Sequence, residues 1–300
     1  MLFNNHTRGR RAAALILSLL VALVAVPIRA EIRLVGSDLL GPGLTASLED
    51  YARRTDTSLA TDFAGSQPGW LQLQDGRADL GLLAFPPGQS WPVAPFVCLP
   101  LAYHVTYVLV PESLPLEQLS WVRLAGIFGE GGAGHVARWG ELGPVGDWTA
   151  RTIMPRVCDS GGGLSVALFR HLVLHDGAWR PAVIHCGSME ALRNDLVQAG
   201  GGGIALAPVL PPIGSGLKAL AIARTEQESA AAPTPENVHR GDYALRWPVC
   251  LVFRRTDVAR LFPLLRHLLG EEVAHKCSQA GLMPLPGSVR EQQIFDLESW

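Results

Sequence analysis

An excess of positive charge is missing from this chain: 25 Lys and Arg stand against 27 Asp and Glu, a net charge of −2. That balance excludes the basic footprint by which proteins hold nucleic acid. Cysteine is scarce and unpatterned. Cys98, Cys158, Cys186, Cys250 and Cys277 form no CxxC and no spacing that suits zinc. Their odd number leaves at least one thiol unpaired. Most read as small buried apolar residues, with Cys158 and Cys186 the one pair expected to bridge. Internal repeats are absent, and no second long apolar run follows residue 30. The chain after that point is therefore expected to be soluble and, with no cysteine near residue 30, not lipid-anchored.

What is present begins with a targeting pattern. Arg8, Arg10 and Arg11 precede the apolar run Ala12 to Val26, which at about fifteen residues is short for a membrane span. Pro27-Ile28-Arg29-Ala30 offers a cleavage point after Ala30, with an uncleaved anchor as the alternative. The Arg10-Arg11 pair touches on twin-arginine export without its surrounding motif. The expectation is a signal peptide over residues 1–30 and a periplasmic or secreted mature chain of about 270 residues, near the size at which chains divide into two domains.

Strand and helix patterns alternate from there, which predicts an α/β fold. Ile32–Val35 reads as a strand, and Leu40, Leu44, Leu48 and Tyr51 as the apolar face of a helix. Ser58–Phe63 and Ala78–Leu83 read as further strands, with a short helix at Trp70, Leu71 and Leu73 between them. Tyr103–Val110 is β-rich and reads as a crossing into a second lobe, and Leu116–Phe128 as one helix. Thr152–Val157 and Ile204–Ala207 are strands. Leu164, Leu168 and Leu172 mark a helix, and Ser188 caps another. Glu226–Asn237 reads as a surface loop, Tyr243–Phe253 as the returning strand, and Val258–Leu269 as a C-terminal helix. The resulting expectation is two α/β lobes, residues 31–104 with 243–300 and residues 105–242, joined by a two-strand hinge around a cleft. Trp91 and Trp247 flank the crossings and are candidates to line it.

Two strand exits carry Gly-Ser: Gly36-Ser37 before the first helix and Gly65-Ser66 before the second. In open α/β sheets ligands bind at that edge, and a helix N-terminus there favours an anion. Asp159-Ser160-Gly161-Gly162-Gly163 follows a strand in the same way, and its run of N–H groups can form an anion nest. Gly163-Leu164-Ser165-Val166-Ala167 approximates the G-x-S-x-G turn of serine hydrolases, with His171, His175 and His185 as candidate bases. However, Ala167 replaces the last glycine and no triad acid is apparent. His171 and His175, four apart, have the spacing of two metal ligands but read as surface or cap residues.

Several motifs carry a family resemblance. They are Gly36-Ser37-Asp38-Leu39-Leu40-Gly41-Pro42; Gly65-Ser66 followed by Asp75-Gly76-Arg77-Ala78-Asp79-Leu80-Gly81; Ile127-Phe128-Gly129-Glu130 with Trp139-Gly140-Glu141-Leu142; Gly202-Gly203-Ile204-Ala205-Leu206; and Gly281-Leu282-Met283-Pro284-Leu285. In this order the chain resembles the phosphate-binding component of bacterial phosphate ABC transporters, a type II periplasmic-binding-protein fold. The resemblance implies a monomeric, non-catalytic binding protein without cofactor or metal, which captures phosphate or a related small anion for an ABC permease. It assigns hydroxyls to Ser37 and Ser66, and backbone contacts to Asp38, Leu39, Gly65, Ser160, Gly161, Gly162 and Gly163. The alternative is the same fold re-purposed for another small ligand or a partner protein. It is motivated by Val157 where the family has arginine, Gly161 and Gly163 where it has Ser and Thr, and the apolar Leu82-Leu83-Ala84-Phe85 after Asp79-Leu80-Gly81.

Overall fold

The computed structural model describes residues 31–37, 41–85, 92–131, 134–159, 163–198 and 202–300. The predicted targeting segment 1–30 lies outside the described residues, as do Asp38, Leu39, Trp91, Ser160, Gly161 and Gly162.

The strands form two principal sheets. The first contains β1 (Ile32–Gly36), β2 (Leu59–Asp62), β3 (Leu80–Ala84), β4 (Phe96–Val105), β12 (Arg246–Arg254) and β13 (Met283–Pro284), in the order β13-β4-β12-β3-β1-β2. The second contains β5 (Tyr107–Pro111), β7 (Met154–Cys158), β8 (Ile184–Cys186), β9 (Gly203–Ala207) and β10 (Leu217–Ala219), in the order β10-β5-β9-β7-β8. A small parallel pair, β6 (Gln118–Ser120) with β11 (Ala221–Ala223), stands apart from both. The helices are α1 (Gly41–Thr55), α2 (Ser66–Gln74), α3 (Trp121–Phe128), α4 (Leu164–Leu174), α5 (Met189–Gln198), α6 (Pro235–Arg240), α7 (Val258–Leu268), α8 (Glu271–Gln279) and α9 (Gly287–Glu298).

The two sheets repeat one plan. β1 lies parallel between β2 and β3, and β7 lies parallel between β8 and β9. An antiparallel strand follows in each, β12 beside β3 and β5 beside β9. Because β4 runs antiparallel to β12, it points the same way as β1 and β3. The ends of β1, β3 and β4 therefore share one edge of the first sheet. The chain reverses direction across the sheet at β1, and that switch point is where such sheets bind ligands.

Apolar periodicity explains the layers. Leu44, Leu48 and Tyr51 of α1 are buried with Leu34, Leu80 and Leu82 on one face of the first sheet. Leu73 of α2 packs with Val35, Leu83 and Phe85 on the other. The second sheet has its own core, which includes Val157, Phe169, Leu192, Leu206 and the fully enclosed Trp139 and Tyr243.

Four expectations are corrected. The β-rich run 103–110 is two strands, because β4 ends at Val105 and β5 starts at Tyr107. The chain crosses between sheets at Thr106, whose N–H donates to the Leu245 carbonyl at 2.9 Å. The helix expected from Leu116 starts at Trp121, because the Ser120 hydroxyl accepts from the Arg123 N–H at 3.2 Å and caps it. The surface loop 226–237 gives way to α6, capped by Thr234. Three elements beyond Leu269 were not predicted, namely α8, β13 and α9. Cys158 and Cys186 face each other in register on β7 and β8, but the expected disulfide does not join them.

Candidate functional site

The two Gly-Ser turns meet. The Gly65 N–H donates to the Gly36 carbonyl at 2.8 Å, and the Ser37 N–H donates to the Leu82 carbonyl at 2.9 Å. Gly36 sits at φ 144° so close to β3 that a Cβ there would lie 2.1 Å from the Leu82 oxygen. Gly69 of α2 packs against it from the other side, its own Cβ position 3.1 Å from the Gly36 Cα. Only two glycines let a strand end, a neighbouring strand and a helix converge this tightly. Ser37 is buried at 6% exposure. The Ser66 hydroxyl, on the first residue of α2, accepts from the Ala84 N–H at 2.9 Å. That bond occupies one lone pair and leaves the hydroxyl proton available to a ligand. Ser37, Gly65 and Ser66 thus gather at the shared edge of β1 and β3, with the N-terminus of α2 at Ser66.

On the second sheet, Gly163 caps α4 in the left-handed conformation, φ 72°. It follows the exit of β7, the counterpart of β1. Asp159, at that exit, is engaged by His185, whose Nδ1 lies 2.8 Å from its Oδ2. Neighbouring Arg156 turns away. Its guanidinium is buried and pairs with Asp195 on α5, and Val157 is fully enclosed in the core. No cation from this strand reaches the exit. On the first sheet, Phe85 is likewise buried and lies edge-on to Trp70, with ring centroids 5.8 Å apart.

The hinge contributes residues that sequence reasoning missed. Thr106 Oγ1 donates to the Ser165 carbonyl at 2.9 Å, so the first turn of α4 rests on the crossing. His104, two residues earlier, is 8% exposed, and burial alone lowers its pKa to about 4. It is neutral at pH 7. Trp247, expected near the cleft, is its register partner on β12. No local pattern marks His104, because a single histidine in a β-rich run looks like any other strand residue.

The other candidates separate. Ser165 is 3% exposed and its hydroxyl has no partner, so no base activates it. His171 pairs with Asp176 at 3.1 Å, and His175 ends α4 with φ 50°. Among the described residues no group of three His, Cys, Asp or Glu side chains is placed to hold a metal. Two grooves lie elsewhere, one between α3 and the end of α4 lined by Trp121, Leu172 and His175, the other beside the β6–β11 pair lined by Ser120, Arg123 and Glu226. The first is at the far end of α4, about 16 Å of helix from the cleft.

Asp79 shows how one of the sequence motifs is used structurally. Its carboxylate accepts from the Arg33 N–H at 2.8 Å, from Arg33 Nε at 3.2 Å and from Arg260 at 2.8 Å. Burial pushes its pKa up, but these bonds outweigh burial and hold the carboxyl below its ordinary value. A lowered native pKa means stability that is present above the unfolded value, about 3.9, and lost as pH falls through the native one. Asp79→Asn is expected to unfold at lower urea than the native chain at pH 7, and the gap should close below pH 4. Urea titrations across that range check it.

No family model matches the chain. The phosphate-binding protein PstS of Pseudomonas aeruginosa is 25% identical over 286 residues, covering 88% of this chain and 85% of that protein. The chain resembles phosphate-binding receptors along most of its length. PstS of Borrelia burgdorferi superposes with a TM-score of 0.67 at 14% identity, covering 85% of this chain and 99% of that one. An ABC-type phosphate transport receptor of Vibrio cholerae gives 0.58 at 19% identity, covering 85% and 100%. The fold is that of the PstS-type periplasmic binding proteins, and the named relatives are binding proteins rather than enzymes. Among the described residues no helix is long and apolar enough to cross a membrane.

Proposed function

We propose that this chain is an exported, non-catalytic solute-binding protein. It captures phosphate or a related oxyanion in a cleft between two lobes, residues 31–104 with 243–300 and residues 105–242. It then delivers the ligand to an ABC-type permease. The observation that carries this reading is the hydrogen-bonded pair of Gly-Ser turns, which brings buried Ser37 and the head of α2 to one sheet edge. The N-terminus of α2 there supplies N–H groups and a favourable dipole for an anion. The phosphate-binding relatives supply the ligand class. The reading predicts the residues 1–30 to be removed on export.

Thermal unfolding with and without ligand tests it. Phosphate at about 100 times its Kd adds roughly 2.7 kcal/mol, which at this chain length is a rise of several degrees. No shift with millimolar phosphate, sulfate or arsenate overturns the oxyanion reading.

A second reading keeps the fold and changes the ligand. It is favoured by the commitment of Arg156 to Asp195, which leaves the β7 exit without the guanidinium of the family pattern. A hydrogen bond to a charged group contributes about 1.5–3 kcal/mol, so its loss alone weakens an anion site by one to two powers of ten. Under this second reading Ser37→Ala and Ser66→Ala leave function intact. Under the first, each weakens phosphate binding.

A further inference from the structure

Buried polar atoms without hydrogen-bond partners are rare in folded proteins, and each asks for an explanation. Six side-chain atoms are in this condition among the described residues, and three of them lie at or beside the hinge: His104 Nδ1, Trp247 Nε1 and, on the α4 turn held by Thr106, Ser165 Oγ. The topology holds them together. His104 and Trp247 are direct partners across β4 and β12, two residues beyond the row Ala84, Val249 and Ala102 that ends β3. Both residues therefore lie beyond the end of β3, where Trp247 still packs against the first-sheet core. Ser165 reaches the same place from the second sheet, because its carbonyl is held by Thr106, two residues after His104. His104 and Ser165 are more than nine-tenths buried.

We propose that these three side chains form the back wall of the ligand site and hydrogen-bond the bound molecule. They supply contacts that the β7 exit lacks. The inference rests on the cleft reading above and adds its anchoring residues. The set is uncharged. The indole N–H only donates, the hydroxyl donates and accepts, and a neutral imidazole nitrogen does one or the other. It suits a compact molecule with several acceptor oxygens, and a hydroxyl on that molecule can donate in return. A tetrahedral oxyanion that keeps one proton has that chemistry. The same wall has a mechanical consequence. Ser165 stands on the second lobe, whereas His104 and Trp247 stand on the first, so one ligand touching all three ties the lobes across their crossing.

The experiment uses the mature chain, Trp247→Phe and Ser165→Ala, with inorganic phosphate as the probe. Titration calorimetry reads affinity, and thermal unfolding without ligand reads stability. A lost neutral hydrogen bond corresponds to about a tenfold loss of affinity, and that is the expectation for each variant. Without ligand both variants should melt at or above the temperature of the native chain, because an orphaned buried group is removed. Variants that bind phosphate as the native chain does overturn the inference and leave the cleft reading standing. Variants that melt lower without ligand and bind normally also overturn it, since the groups then serve the fold. A native chain that binds no phosphate removes both, and Ser37→Ala is the companion that shows whether the first-sheet turn is engaged.

Discussion

Gly36→Ala is expected to cost about 3–5 kcal/mol of stability, enough to leave little folded protein. Two effects add. The backbone at φ 144° is strained for any residue with a Cβ. That Cβ would also lie 2.1 Å from the Leu82 carbonyl oxygen, so β1 and β3 must separate. Separation breaks the Ser37 N–H to Leu82 bond and the seating of α2 at Gly69. Gly65→Ala is the control that divides the two effects. Gly65 has φ 127°, yet the nearest atom to its Cβ position is Pro68 Cδ at 3.6 Å, so only the strain remains. Its expected cost is about 1–3 kcal/mol. Denaturant titrations of the two variants measure the difference, and equal losses would show that close approach at Gly36 contributes nothing.

This contrast bears on what the amino-acid order makes legible. The Gly-Ser pairs, the amphipathic face of α1 and the strand at Ile32 are local patterns, and reading them located β1, α1 and the two turns proposed for the first-sheet half of the site. The hydrogen bond from Gly65 to Gly36 is not local. It joins turns 29 residues apart, and only the β2-β1-β3 order brings them together. The same limit explains His104. Its role follows from register with Trp247 and from the contact of Thr106 with Ser165, pairings that no spacing along the chain announces. Ser165 was singled out for a nucleophile-like motif, and its burial removes that meaning while giving it another. The elements after Leu269 escaped because their apolar residues are few. The buried side of α8 is only Val273, Ala274 and Cys277, and that of α9 only Leu297.

The orientation of Arg156 was legible for a physical reason. Side chains alternate across a strand, so Val157 and Arg156 have to face opposite ways. Its pairing with Asp195 on α5 confirms that alternation. A buried cation needs a partner, and here the partner belongs to the packing of α5 on β7 rather than to the cleft.

Tyr243→Ala is the second large effect, at about 3–5 kcal/mol, because it empties a fully enclosed ring from the core of the second sheet. Tyr243→Phe separates packing from hydrogen bonding. The phenol donates to the Thr106 carbonyl at 2.7 Å, and removing it leaves that buried carbonyl short of a donor, at a cost of about 1 kcal/mol. Burial pushes the phenol's pKa far up, with nearby Tyr107 adding to the effect, so the group stays a neutral donor through the alkaline range. This bond and the Thr106 N–H to Leu245 bond fasten the two crossings to each other. Under the proposed function they are the axis on which closure of the cleft turns, and they hold Thr106 where its hydroxyl meets Ser165. Tyr243→Phe is therefore expected to lower the denaturation midpoint slightly and to weaken phosphate binding more than a change of 1 kcal/mol at a distant core site does. Calorimetric titration beside a core control such as Leu192→Val makes the comparison. Equal affinities in the two variants would mean that the crossing transmits nothing to the ligand and serves the fold alone.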